Sequence, residues 1–78
     1  MKLRYSMQAW VKRTRNAHNQ TQQQLADKSG LSRSFIAGVE VGERKVDFDA
    51  YYTLCRTWCL DPGEELNGII LRHEEPFK

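Results

Sequence analysis

Apolar residues recur along this chain at spacings of three and four, with no convincing run of the two-residue alternation a strand needs, so the pattern predicts an all-α fold of five helices. The first helix spans Tyr5 to Ala17 on a thin inner stripe of Met7, Val11, Thr14 and His18, with Lys12 and Arg13 facing away. The second runs from Gln22 to about Ser29 and buries Leu25 and Ala26; the third runs from Arg33 to about Val41 and buries Ile36 and Val39. After a loop from Gly42 to Val46, the fourth helix carries the longest apolar face, Phe48, Tyr51, Leu54, Cys55 and Trp58, which marks it as the spine of the core. The fifth follows through Leu66, Ile69 and Ile70. The charged stretch after it, with one Pro and one Phe, reads as a loose tail, leaving residues 1–72 as a single domain and 73–78 outside it.

Helix starts are written into the polar positions. Thr21 with Gln24 three residues on forms a capping box, in which each side chain takes the other's orphaned backbone N–H. Gly30 supplies the left-handed position that ends the second helix, and Ser32 caps the third, with Leu31 ahead of the cap placed to pack on Ile36. Asp47 caps the fourth, and Asp61-Pro62-Gly63-Glu64 begins the fifth with an acidic cap and a proline in the first turn. Only Ser29 to Leu31 separates the second and third helices, short enough to hold them at the steep angle of a helix-turn-helix.

At 78 residues the chain is one small domain whose stability alone is marginal, and association into a dimer would raise it. No apolar run reaches the length of a membrane span and the beginning lacks a signal-peptide pattern, so a soluble, cytoplasmic protein is expected. Cys55 and Cys59 read as free thiols one turn apart on the fourth helix, and His18 and His73 lie too far away in sequence to complete a metal set, so neither metal nor cofactor is expected. The net charge of +2 conceals an asymmetry: nine Lys/Arg against three acids up to Lys45, and three against seven from Val46 onward. The basic part is the part that carries the two capped helices, as a polyanion-facing surface requires. No nucleophile–base constellation, paired carboxylates or phosphate loop is visible, which argues against an enzyme.

The runs T-Q-Q-Q-L-A from Thr21 and S-R-S-F-I-A-G-V-E-V-G-E-R from Ser32, with their spacing to the fourth helix, resemble the lambda-repressor-like helix-turn-helix group, the XRE family of phage repressors, Cro proteins and restriction-modification controllers. The resemblance covers about Val11 to Leu66 and implies a five-helix domain that binds operator DNA, generally as a dimer, and regulates transcription. It also implies a pairing of Arg15 with Glu40, for which there is a physical case: Glu40 lies near the buried side of the third helix, where an unpaired carboxylate is costly, and Arg15 lies along the inner stripe of the first. The sequence departs from the family where Thr14 and Gln20 replace aliphatic residues and where Val41 replaces Arg or Asn.

With Ile36 and Val39 pointing inward, Ser34, Ala37, Gly38 and Val41 form the outward face of the third helix, small enough for close approach to base edges. Arg33 at its leading end matches the O6 and N7 acceptors of guanine, or else holds a phosphate; Phe35 either meets a thymine methyl or packs between the helices; Ser34 adds an unselective hydroxyl. The base-contact candidates are therefore Arg33, Ser34, Phe35, Ala37 and Gly38. Phosphate contacts fall to Gln22, which the family places on the backbone, and to Ser32, Arg44 and Lys45. Leu66, Ile69, Ile70 and Leu71, with Trp58, supply more apolar surface than one short helix buries alone, and Leu66, Ile69 and Ile70 are the candidate dimer interface. The alternative is a protein-interaction module of the same fold, an antitoxin or anti-repressor, favoured by the short outward face of the third helix and the modest net charge. The expected partners are double-stranded DNA and a second copy of the chain, with no small-molecule ligand.

Overall fold

Four of the five helices begin at a side chain that accepts an N–H the helix cannot satisfy itself. The computed structural model describes residues 3–74 and holds α1 (Leu3–Ala17), α2 (Gln22–Ser29), α3 (Arg33–Glu40), α4 (Phe48–Thr57) and α5 (Pro62–Glu74). Thr21 Oγ1 accepts from Gln24 N at 3.0 Å while Gln24 Oε1 accepts from Thr21 N at 2.8 Å, closing the capping box at α2. Ser32 Oγ accepts from Phe35 N at 3.0 Å for α3, and Asp47 Oδ1 accepts from Ala50 N at 2.8 Å for α4. Asp61 Oδ1 takes both Gly63 N and Glu64 N, at 2.8 and 3.1 Å, for α5. Each cap is worth about 1 kcal/mol, so together they define the boundaries of helices too short to persist alone. Gly30, at φ 79°, ends α2 and sends the chain directly into the cap of α3.

The helices share one core. α1 lies between α3 and α5, α2 packs on α3 and α4, and α4 meets α5. Trp10 and Val11 from α1, Leu25 and Ala26 from α2, Ile36 and Val39 from α3, Tyr51, Leu54 and Cys55 from α4, Trp58 and Ile69 form the buried cluster. Its centre is aromatic: Trp10 packs tilted on Tyr51 at 5.2 Å between ring centroids and edge-on to Trp58 at 5.5 Å. The polar ends of these rings are all bonded, Trp10 Nε1 donating to Glu65 at 3.0 Å, Trp58 Nε1 to Gln20 Oε1 at 2.8 Å and the Tyr51 hydroxyl to the Pro62 carbonyl.

Several expectations about faces are corrected. The inner stripe of α1 is not the thin one read from Met7, Val11, Thr14 and His18: Trp10 is buried beside Val11, because α1 is covered on two sides and its apolar arc is correspondingly wide. His18 lies exposed beyond the helix end and stacks on Trp58 at 5.7 Å. Phe48, placed in the spine of α4, is instead 83% exposed; it sits on the leading turn at the edge of the stripe, and Ala50 takes the inward position. Ile69, assigned to a dimer interface, is 2% exposed and belongs to the core, as does Trp58. α3 stops at Glu40, with Val41 as its cap. The fifth helix does not stop at residue 72: it continues through Arg72 and His73 to Glu74, where basic side chains in the last turn favour the negative end of the helix dipole and His73 Nδ1 bonds Ser6 Oγ at 3.0 Å. The rest of the expected tail lies outside the described residues.

Cys55 and Cys59 do not share a helix face. Cys55 is buried on α4, where burial pushes its thiol up, whereas Cys59 lies past the helix end, exposed, at φ 56°. Leu60 N bonds the Cys55 carbonyl at 2.8 Å across this left-handed residue, the geometry glycine usually provides at a helix end. A side chain in that region costs about 1–2 kcal/mol, so Cys59→Gly is expected to stabilise the protein by about 0.5–1 kcal/mol in urea unfolding, after allowing for glycine's freer unfolded state.

Candidate nucleic-acid interface

The angle between α2 and α3 is held from below by a buried polar node. Arg15, in the last turn of α1, grips Glu40 at the end of α3 with two parallel bonds, Nε to Oε2 at 2.6 Å and Nη2 to Oε1 at 2.8 Å. Its remaining Nη1 donates to the Gln20 carbonyl at 2.6 Å, just before α2, and Gln22 Nε2 on the first turn of α2 donates to Glu40 Oε1 at 3.1 Å. One carboxylate thus ties together the end of α1, the entry to α2 and the exit of α3. The Glu40 side chain is 3% exposed and that of Arg15 12%, so solvent screening is slight. Burial pushes the Glu40 carboxyl up, but the hydrogen bonds from Arg15 and Gln22 and the Arg15 charge outweigh it and hold the group below the ordinary carboxylate range. The hydrogen bond to Glu40 raises the Arg15 guanidinium in turn. Among the described residues no buried side-chain polar atom lacks a partner.

Gln20 explains itself here. Its side chain accepts from Trp58, and its carbonyl accepts from Arg15, so the polar residue at a position the family fills with an aliphatic one links the aromatic core to the ion pair.

Above this node, α3 presents its leading end outward. Arg33 and Ser34 are exposed on its first turn, and the Ser32 cap beside them is exposed as well. Ala37 is half-buried on the same helix, and Phe35, also half-buried, packs against the core, which favours the inter-helix seat over a free aromatic surface. Gly38 has a specific local reason: a Cβ there would stand 2.5 Å from Arg44 Cγ, and its carbonyl accepts from Glu43 N at 2.8 Å and Arg44 N at 3.1 Å. The stem of Arg44 therefore lies across Gly38, beside the trailing half of α3, and narrows the open part of the face toward Arg33 and Ser34. Arg44 and Lys45 are exposed in the loop after α3, and Val41 is exposed at its end. Gln22 is half-buried with its amide committed to Glu40, leaving the backbone N–H groups of the first turn of α2 to meet an anion. Of the interface candidates, Leu66 is half-buried against the core, Ile69 is inside it, and Ile70 is at the surface next to Leu71, which is 60% exposed. The commitment of Gln22 and the covering of Gly38 were missed by sequence reasoning; only the paired Arg15 and Glu40 hinted at the first, and the second depends on a loop path that no local pattern encodes.

A capped two-helix unit, braced on a third helix and turning a basic leading end to solvent, defines a domain that docks a helix on DNA. The chain belongs to the helix-turn-helix family HTH_3, whose model matches residues 11–57, and is an XRE-type, DNA-binding transcription regulator. Its structure is similar to that of a tyrosine-to-phenylalanine variant of the restriction-modification controller protein C.Esp1396I, with a TM-score of 0.83 and 24% identity over 92% of this chain and 91% of that one, a likeness of fold. No curated protein matches the sequence. Among the described residues no helix is long and apolar enough to cross a membrane.

The node makes a pH prediction. Glu40 binds its proton less readily folded than unfolded, so between the unfolded carboxylate value of about 4.3 and its own lower folded value the unfolded state holds more protons and stability rises with pH. Its contribution is complete above that window and is lost as pH falls through it. Glu40→Gln, less stable at pH 7, is expected to lose less further stability than the parent between about pH 5 and pH 3 when unfolding is followed at each pH.

Proposed function

We propose that the protein regulates transcription as a homodimer on an inverted-repeat operator, each protomer placing α3 in the major groove with Arg33 as the principal base reader. The observation that carries this reading is the position of Arg33: first residue of a capped helix, exposed, and left uncovered by the described residues, at the end from which docked helices contact bases. Ser34 and Ala37 lie next along the approach. Phe35 and Gly38 shape the reading surface more than they touch it, given their contacts to the core and to Arg44. Phosphates on either side meet Ser32 and the backbone entry of α2 at one flank and Arg44 and Lys45 at the other. The apolar surface available for a partner loses Ile69 to the core and keeps Ile70 and Leu71 on α5, and Ile70 adjoins a groove of about 370 Å³ lined also by Leu3, Met7, Val46, Phe48 and Leu66. Leu3, Phe48 and Ile70 are exposed there, and a second copy covering them would relieve apolar exposure that a chain of this size gains by burying.

Selection of bound sites from random duplex DNA tests the whole reading. Two half-sites with centres roughly one helical turn, about 34 Å, apart are expected, with binding that weakens with salt at a log–log slope near −5 if about six phosphates are neutralised. Arg33→Ala should keep the fold and lose about 1–3 kcal/mol of discrimination at one base pair per half-site. Ile70→Glu should give monomers in sedimentation and single half-site binding. A protein that selects no sequence would instead be the interaction module, and one that selects half-sites and remains a monomer would refute the dimer alone.

A further inference from the structure

A second basic site lies away from the helix-turn-helix. α1 and α5 enclose a cleft of about 190 Å³ lined by Tyr5, Ser6, Ala9, Arg13, Ile69 and Arg72. Viewed down α1 at 100° per residue, Tyr5, Ser6, Ala9 and Arg13 point roughly 140° away from Gln8, Val11 and Arg15, the side facing α3. Small Ala9 and buried Ile69 line the cleft on its apolar side, and an arginine from each helix lines it as well. Neither guanidinium is in an ion pair among the described residues. Glu65, the acid whose field reaches Arg13, accepts a hydrogen bond from Trp10 instead. Burial disfavours the Arg13 charge, and the Arg72 charge disfavours it further, so the two cations oppose each other across the cleft. Ser6 Oγ stands at the wall in contact with His73 Nδ1; when that nitrogen carries the ring proton, Ser6 accepts it and keeps its own hydroxyl proton to donate.

We propose that this cleft binds a small phosphate-bearing anion, bridged between Arg13 and Arg72 with the Ser6 hydroxyl as a third donor. The chemistry is that of two planar forks, each able to place two N–H donors on one oxyanion, in a space roomy enough for a phosphate group with part of its hydration. A doubly charged anion answers both cations at once, where a single carboxylate leaves one uncompensated. Binding would fasten the last turn of α5 to α1 next to Ile70 and Leu71. The site is independent of the DNA-reading proposal, since it uses none of the same residues.

The test is a two-dimensional amide NMR titration of the full chain at pH 7 with sodium phosphate, against sodium chloride at matched ionic strength. Saturable shifts with phosphate alone, centred on Ser6, Ala9, Arg13 and Arg72 with a millimolar dissociation constant, are expected. Arg13→Gln and Arg72→Gln, both at exposed positions and checked for fold by their own spectra, should each weaken binding about tenfold, and Lys28→Gln should not. Linear shifts equal in both salts, saturation centred on the first turns of α2 and α3, or full affinity in Arg13→Gln would each overturn the proposal.

Discussion

The bidentate contact between Arg15 and Glu40 is the constraint on which the geometry of this domain rests. A carboxylate at the end of a short helix and a guanidinium at the end of a long one are sealed where the exit of α3 meets the entry to α2, and Gln22 and the Gln20 carbonyl complete the bonding. Such a pair contributes little net stability over apolar residues of the same size, but removing one member leaves a buried charge and costs about 3–5 kcal/mol. Its value lies in direction. Planar, two-pronged bonding fixes the exit of α3 relative to the entry of α2, which apolar packing around Leu25, Ile36 and Val39 does less exactly.

From this node the polar bonding continues into the core. The Gln20 side chain meets Trp58, Trp58 meets Trp10, and Trp10 meets Tyr51 and Glu65, so the end of α4 and the start of α5 are referred to the same point as the DNA-facing unit. A chain of 78 residues has little apolar area to bury, and it uses large rings whose polar ends are all satisfied together with side-chain caps at four of its helix starts. Against this fixed support, Arg33 and Ser34 are left exposed, with no side-chain partner among the described residues.

What the sequence disclosed follows from the range of each interaction. Caps act over three residues, so Thr21, Ser32, Asp47 and Asp61 could be located from their neighbours, and the starts of α2 to α5 with them. The ion pair spans 25 residues and was legible because Arg15 and Glu40 are the residues the family pairs there and each reads as lying toward the inner side of its helix. Faces were less legible than elements. Trp10, Phe48 and the burial of Ile69 beside exposed Ile70 turn on which neighbouring helix covers which arc, and a periodic pattern does not say how many sides of a helix are covered. Cys59 looked like one more helical turn because the left-handed residue that ends α4 is not a glycine, and α5 looked shorter than it is because charge near a terminus reads as a tail even where it suits the helix dipole. In the candidate site, Arg33 and Ser34 lie where their spacing put them, whereas the stem of Arg44 over Gly38 depends on a loop path and was not visible beforehand.

The most direct measurement is a double-mutant cycle on the brace, with urea unfolding of Arg15→Leu, Glu40→Leu and the combined variant at pH 7. Each single change is expected to destabilise strongly and the pair to recover much of the loss, giving a coupling of at least about 2 kcal/mol. Additivity within about 0.5 kcal/mol would mean that the two side chains do not act as a unit, and the account of how α3 is held in place would fail.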